Sequence, residues 1–111
     1  MNLINKTCKP CEGGIQKLGK TEINSFNSQL INPWQVSDDL KISKEFHFGD
    51  FSQTMNFVNK VADVSEKEGH HPVMHIFFSK VQIELWTHAI LGLSENDFIL
   101  AAKIDKLTEK S

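Results

Sequence analysis

Tyrosine is absent from this chain, and cysteine occurs only twice. With no tyrosine, the eight phenylalanines carry most of the aromatic content, and their role is mainly packing. The two cysteines, Cys8 and Cys11, stand in C-x-x-C spacing. A structural zinc takes four ligands and there is no second pair to complete the set. A thioredoxin-like motif needs a strand before it and a helix after it. This pair instead sits among Lys9, Pro10, Gly13 and Gly14. Residues 1–19 are therefore expected to form a flexible N-terminal arm, with an accessory metal or redox role as the alternative. Strong charge of either sign is also missing. The formal net charge is −2 and the signs are interspersed, so the basic footprint of a nucleic-acid binder is not there. No apolar run approaches the ~20 residues of a membrane span. Met1 to Lys6 lacks the apolar centre of a secretory signal, so a soluble, cytoplasmic protein is expected. A G-x-S-x-G elbow, a glycine-rich phosphate loop and H-E-x-x-H are all absent.

What remains fits one domain over residues 20–111 of the 111-residue chain. Ile23, Phe26 and Leu30 recur at i, i+3 and i+7, the spacing of one helix face, and Asn32-Pro33 stops that helix. Trp34 to Val36 reads as a short strand, followed by a turn at Ser37-Asp38-Asp39. Leu40, Ile42, Phe46 and Phe48 then alternate with Lys41, Ser43, Glu45 and His47, the pattern of a strand buried on one face. Lys44 breaks the apolar parity and marks a bulge or an edge. A long helix from Asp50 to Glu68 follows, with Asp50 and Gln53 as a capping pair and Gly69 as its left-handed stop. Its inward stripe is expected to be Phe51, Met55, Val58, Val61, Ala62 and Ser65. A second hairpin runs from Val73 to His88, turning at Ser79-Lys80. It directs Val81, Ile83 and Leu85 to the core, and Trp86 and His88 to the opposite face. Ser94 and Asp97 then open a last helix, with Phe98, Ala101, Ala102, Ile104 and Leu107 apolar. Helix, hairpin, helix, hairpin, helix predicts an α+β fold with two layers. Its antiparallel sheet has four strands, and the helices cover one face.

Three of the five histidines fall between His70 and His75, at the end of the long helix. Histidine alone has an unperturbed pKa, about 6.5, that suits it to both acid and base work near neutrality. In extended backbone His70 and His71 point opposite ways. They are either polar helix-end residues or part of a site. His88, two residues after Trp86, offers an aromatic face beside a histidine, which suits a flat heteroaromatic ligand. A sheet-surface pair or a dimer contact would give the same spacing. Four histidines could in principle ligate a metal, but Pro72 prevents a helical turn from aligning His71 with His75, and neighbouring histidines rarely chelate one ion together. No metal is expected. His75 reads as structural and His47 as surface. Asp97 is explained by capping alone, and Glu66, one helical turn before His70, could orient it or simply be solvated.

The segments Glu66-x-x-x-His70-His71-Pro72, Phe78, Thr87-His88 and Gly92-Leu93-Ser94-x-x-Asp97 together resemble the signature of the pterin-4a-carbinolamine dehydratase family. Trp34, Phe46-His47-Phe48-x-Asp50-Phe51 and the closing helix extend the resemblance from about residue 18 to residue 107. It implies dehydration of 4a-hydroxytetrahydropterin to quinonoid dihydropterin, as in tetrahydrobiopterin recycling after an aromatic amino-acid hydroxylase. It also implies no cofactor, no metal, and a homodimer or homotetramer. By the same resemblance His70, His71 and His88 are catalytic. Glu66, Pro72, Phe78, Trp86, Thr87 and Asp97 bind substrate or support the site. The chain departs from the pattern at Val73-Met74, at Trp86, where a small polar residue is common, and at Phe78, which replaces tyrosine. Two other functions compete. One is a protein-binding dimerisation cofactor for a transcription factor. The other is a pterin- or molybdopterin-related role without an aromatic hydroxylase.

Overall fold

The computed structural model describes residues 3–9 and 15–108. Its three helices are α1 (Lys20–Ser28), α2 (Phe51–Glu68) and α3 (Glu95–Lys106). Its strands are β1 (Gln35–Ser37), β2 (Lys41–His47), β3 (Val73–Ile76) and β4 (Lys80–Leu85). The strands form one antiparallel sheet in the order β1-β2-β4-β3. The two hairpins therefore join through their second strands, and α2 carries the chain from one to the other. This is the expected α+β architecture.

The parity of the central strands sets which face is covered. Ile42 lies opposite Leu85, and Phe46 opposite Val81, and all four are buried with Ile83 beneath the helices. Ser43, Glu45, Gln82 and Glu84 take the other parity and stay wetter. Lys44 does not make a bulge. It pairs in register with Ile83 on the core side of a central strand. Its ammonium reaches across to Asp105 of α3 at 2.7 Å, and the Trp34 indole N–H donates to the second oxygen of that carboxylate at 3.1 Å. A buried charge is tolerated only with such partners.

The turn between β1 and β2 holds both Asp38 and Asp39 at positive φ (54° and 57°), a region aspartate enters more readily than most residues. Leu40 belongs to this turn and is exposed, so β2 starts one residue later than its parity suggested. The stripe of α2 is likewise rotated from the expected one. Thr54, Phe57, Val58, Val61 and Ser65 are buried, whereas Phe51 and Ala62 are exposed and Met55 is half-buried. The Thr54 hydroxyl shares its one proton between the Asp50 and Phe78 carbonyls, so burial leaves it satisfied. In α3 the residues from Asn96 to Ala101 are buried all round, since α1, α2 and the N-terminal segment cover it on several sides.

The expected loose arm is partly held. Residues Leu3–Asn5 form a 3-10 turn with Leu3 in the core. Lys6 pairs with Glu95. The Cys8 N–H donates to Glu68 at 2.9 Å, and Lys9 exchanges two backbone hydrogen bonds with the Asn96 side chain. Cys11 lies outside the described residues, and among those described no group of three or more His, Cys, Asp or Glu could hold a metal ion. No helix among them is long and apolar enough to cross a membrane.

Candidate active site

The end of α2 dictates how the histidine pair enters. Gly69 takes the left-handed conformation, φ 68°. Its N–H donates to Glu66 C=O, and the His70 N–H donates to Ser65 C=O, the two bonds of a Schellman cap. The chain then runs extended through Pro72 into β3. His70 is thrown inward and buried, while His71, one residue on, keeps 59% of its side chain in solvent.

His70 Nε2 lies 2.6 Å from Asp97 Oδ1. The other oxygen of Asp97 accepts the Thr87 hydroxyl at 2.9 Å and the Ser94 N–H at 3.0 Å. With one oxygen doubly engaged, the carboxylate is set up as acceptor for the ring, which puts the His70 proton on Nε2. Thr87 spends its only proton on Asp97, so the Ser94 hydroxyl must donate to Thr87 Oγ1, 2.7 Å away. Asp97, Thr87 and Ser94 are all buried. The capping role of Asp97 and its contact with His70 are thus one arrangement. Its carboxylate joins α2's exit, β4's exit and the start of α3.

His88 does not lie on a strand. β4 ends at Leu85, and His88–Ile90 form a single 3-10 turn. The turn belongs to a loop closed by two hydrogen bonds between Thr87 and Gly92. His88 is exposed and packs on Trp86, with ring centroids 4.4 Å apart. Glu66 partners His71 (3.2 Å), not His70. Both of these side chains are exposed, and such a pair contributes little in water. Pro72 is half-buried at the start of the hairpin. Phe78 stands at the far turn of that hairpin, 75% exposed, at the opposite end of β3 from the histidine pair. His75 is exposed, 3.6 Å from Glu84, and His47 is on the surface near Glu45.

Two residues not singled out from sequence brace the site from behind. Glu68, two positions before His70, is buried against Lys103 (2.6 Å) and also accepts the Cys8 N–H. Burial pushes its carboxyl up. The Lys103 hydrogen bond, the Cys8 N–H, and the charges of Lys103 and Lys67 outweigh that and hold it below the usual carboxylate value. Asn96, next to Asp97, holds Lys9. A signal for Glu68 existed: it continues the inward stripe of Val61 and Ser65, where a charge requires a partner.

Residues 16–107 match the family described as pterin 4 alpha carbinolamine dehydratase. The chain belongs to this family. A Nitrosomonas eutropha protein named "Putative pterin-4-alpha-carbinolamine dehydratase" is 50% identical over 106 residues, 96% of this chain and 93% of that one. A protein of the same name from Rickettsia bellii is 47% identical over 106 residues, 96% of this chain and 94% of that one. Among solved structures, a transcriptional coactivator/pterin dehydratase from Brucella melitensis superimposes with a TM-score of 0.78. It is 30% identical, with 85% of this chain and all (100%) of that one covered. A pterin dehydratase-like protein identified as a RuBisCO assembly factor in the alpha-carboxysome shares the fold, with a TM-score of 0.57 and 23% identity over 92% of this chain and 98% of that one. Membership of a dehydratase family gives this chain a pterin-directed, water-eliminating enzyme as its setting.

Proposed function

We propose that this chain dehydrates 4a-hydroxytetrahydrobiopterin to quinonoid dihydrobiopterin by histidine acid/base catalysis, within tetrahydrobiopterin recycling. In that reaction the C4a–O bond breaks and the hydroxyl leaves as water, carrying a proton from a general acid. A base removes the N5 proton, and its electron pair becomes the C4a=N5 double bond. No electrons leave the substrate and no cofactor is required. His71 serves as the main acid/base on the pterin, and His88 and His70 are the other proton-transfer or binding groups. Glu66 biases His71, Asp97 with Thr87 fixes His70, Trp86 offers a ring face, and Pro72 shapes the entrance.

The observation that carries this reading is the His70–Asp97–Thr87 chain of hydrogen bonds. It ties the segment bearing His71 to the segment bearing His88, and both of those side chains face solvent where a substrate could reach them. Phe78 fits the reading least, because it stands at the other end of the hairpin. The test is stopped-flow dehydration of chemically generated 4a-hydroxytetrahydrobiopterin. Positioned acid/base groups typically contribute about 10²–10⁴-fold, and His71→Ala should lose a factor of that order. An unchanged rate in His71→Ala removes His71 from the mechanism, and no acceleration by wild type removes the enzyme.

We also infer a homodimer or homotetramer. Ile76, Phe77 and Phe78 are exposed together at the end of edge strand β3, where apolar side chains favour association. Sedimentation equilibrium of wild type and Phe78→Ser checks this. The same surface would serve a protein-binding role, which the coactivator half of the Brucella protein's name also suggests. That reading takes over if the wild-type dehydration assay is negative.

A further inference from the structure

The N-terminal segment meets the site where its buried pair is mounted. His70 lies two residues beyond Glu68, the last residue of α2, and Asp97 directly follows Asn96 in the first turn of α3. Residues 6–9 touch both mountings. Lys6 pairs with Glu95. The Cys8 N–H donates to Glu68 at 2.9 Å, and the Cys8 thiol donates to the Asn96 C=O at 3.6 Å. The Lys9 N–H donates to Asn96 Oδ1 at 2.9 Å, while Asn96 Nδ2 donates back to the Lys9 C=O at 2.8 Å. The segment thus bridges α2 and α3 at the end where His70 and Asp97 meet.

Burial makes this bridge costly to lift. Leu3 is 3% exposed and anchors the far end of the segment in the core. Asn96 is 2% exposed, so lifting the segment takes two partners from an amide that water does not reach. Lys103 also joins α3 to Glu68, but two turns further along the helix, so the contacts at Glu95 and Asn96 are the ones beside Asp97. A related contact backs the loop of His88. The Leu18 N–H donates to the Leu93 C=O at 2.8 Å, and the Lys17 methylenes lie so close over Gly92 that an added methyl would stand 2.5 Å from them. Gly92 in turn closes that loop through its bonds with Thr87. The chain ahead of α1 therefore supports both histidine-bearing segments from the side away from solvent-facing His71 and His88.

We propose that residues 3–9 are a clamp that holds His70 against Asp97, with Asn96 as the positioning residue through which it acts. The inference rests on the dehydratase reading for its effect on rate and deepens it. When the clamp lifts, the end of α2 and the start of α3 are free to separate, and the 2.6 Å contact between His70 and Asp97 lengthens. His71, the next residue, then loses its fixed position relative to the Thr87–His88 segment, which Asp97 also holds. A misplacement of about 1 Å can cost about 10²-fold in rate. The sheet does not use the segment, so the domain stays folded. The loss should fall on kcat more than on KM, as for an alignment needed in the transition state.

The test uses the full chain as wild type, Asn96→Ala, which cuts both Lys9 bonds, and Leu3→Ser, which removes the anchor. Solvent exchange of the His70 Nε2–H is followed by NMR beside exchange of the β4 amides, whose strand is paired on both sides by β2 and β3. Each variant should speed the ring proton by about 10-fold or more while the β4 amides stay within about 3-fold of wild type. In the dehydration assay kcat should fall by about 10-fold with KM within about 3-fold. Equal acceleration of the ring proton and the β4 amides overturns the proposal, because the segment would then support the whole fold and not the pair. A ring proton that exchanges as in wild type overturns it too, as does a loosened pair with unchanged kcat. The exchange readout needs no substrate. If wild type fails to dehydrate, the reaction falls, and the exchange comparison alone decides the clamp.

Discussion

His70 and Asp97 lie inside the protein, whereas His71 and His88, each one residue along the chain from a buried member of that network, lie outside it. The inner side is fully hydrogen-bonded: one carboxylate takes a ring N–H, a hydroxyl and a backbone N–H. The outer side has a single exposed ion pair and one ring contact. The contrast assigns different work to the two sides. A buried, saturated network rigidifies, since every member left without its partner costs the full desolvation of a polar group. Exposed histidines with so few partners stabilise little and stay open to a ligand.

Perturbing the inner side should cost stability first. Asp97→Ala strands the His70 ring, the Thr87 hydroxyl and the Ser94 N–H, so about 3–5 kcal/mol is expected, the cost of breaking a buried pair. For a domain of this size the circular-dichroism melting temperature should then fall by well over about 10 °C. A fall of only a degree or two would show that the network is not structural.

Gly69→Ala comes next. Nothing lies within 4 Å of the added methyl, so the cost is that of left-handed backbone alone, about 1–2 kcal/mol. Gly69→Asn should recover part of it in the same melts.

Glu68→Gln should have a smaller, pH-dependent effect. The Glu68 carboxyl is held below its ordinary value in the folded state. Its stabilisation is therefore present above the unfolded-state value and lost as pH falls through the folded one. The wild-type advantage in melting temperature should be full at pH 7 and vanish in strong acid. An advantage that persists there would assign Glu68 a packing role only.

The smallest stability effect belongs to His71→Ala, within about 0.5 kcal/mol of wild type, as expected for a surface substitution. The same variant should show a large loss of dehydration rate. If instead it melted several degrees lower, the division between the two sides would fail.

The regular elements were legible because each carried a local signal. Asp50 with Gln53, Ser94 with Asp97, and Gly69 bounded the helices, and the alternation around Ile42 and around Ile83 set the sheet's inner face. The readings that shifted all depended on partners distant in sequence. Lys44 looked like a break in a strand because Asp105, which accepts it, lies on α3. Thr54 lies outside the expected stripe of α2, and one acceptor that allows its burial, the Phe78 carbonyl, lies beyond the next strand. Glu66 was one turn from His70, yet the left-handed residue between them swung His71 toward it. The anchoring of residues 3–9 depended on Glu68, Glu95 and Asn96, which no reading of the segment itself could supply.

The His70-His71-Pro72 stretch shows the same division at close range. Sequence alone determined that a helix stops at Gly69, that extended backbone follows, and that adjacent histidines must face opposite ways, because these are properties of local dihedral angles. Which histidine faces inward, and that Asp97 receives it, were decided only by tertiary structure. The reason is that burial and hydrogen-bond partnership belong to segments brought together by the sheet and α3, and no single segment encodes its neighbour.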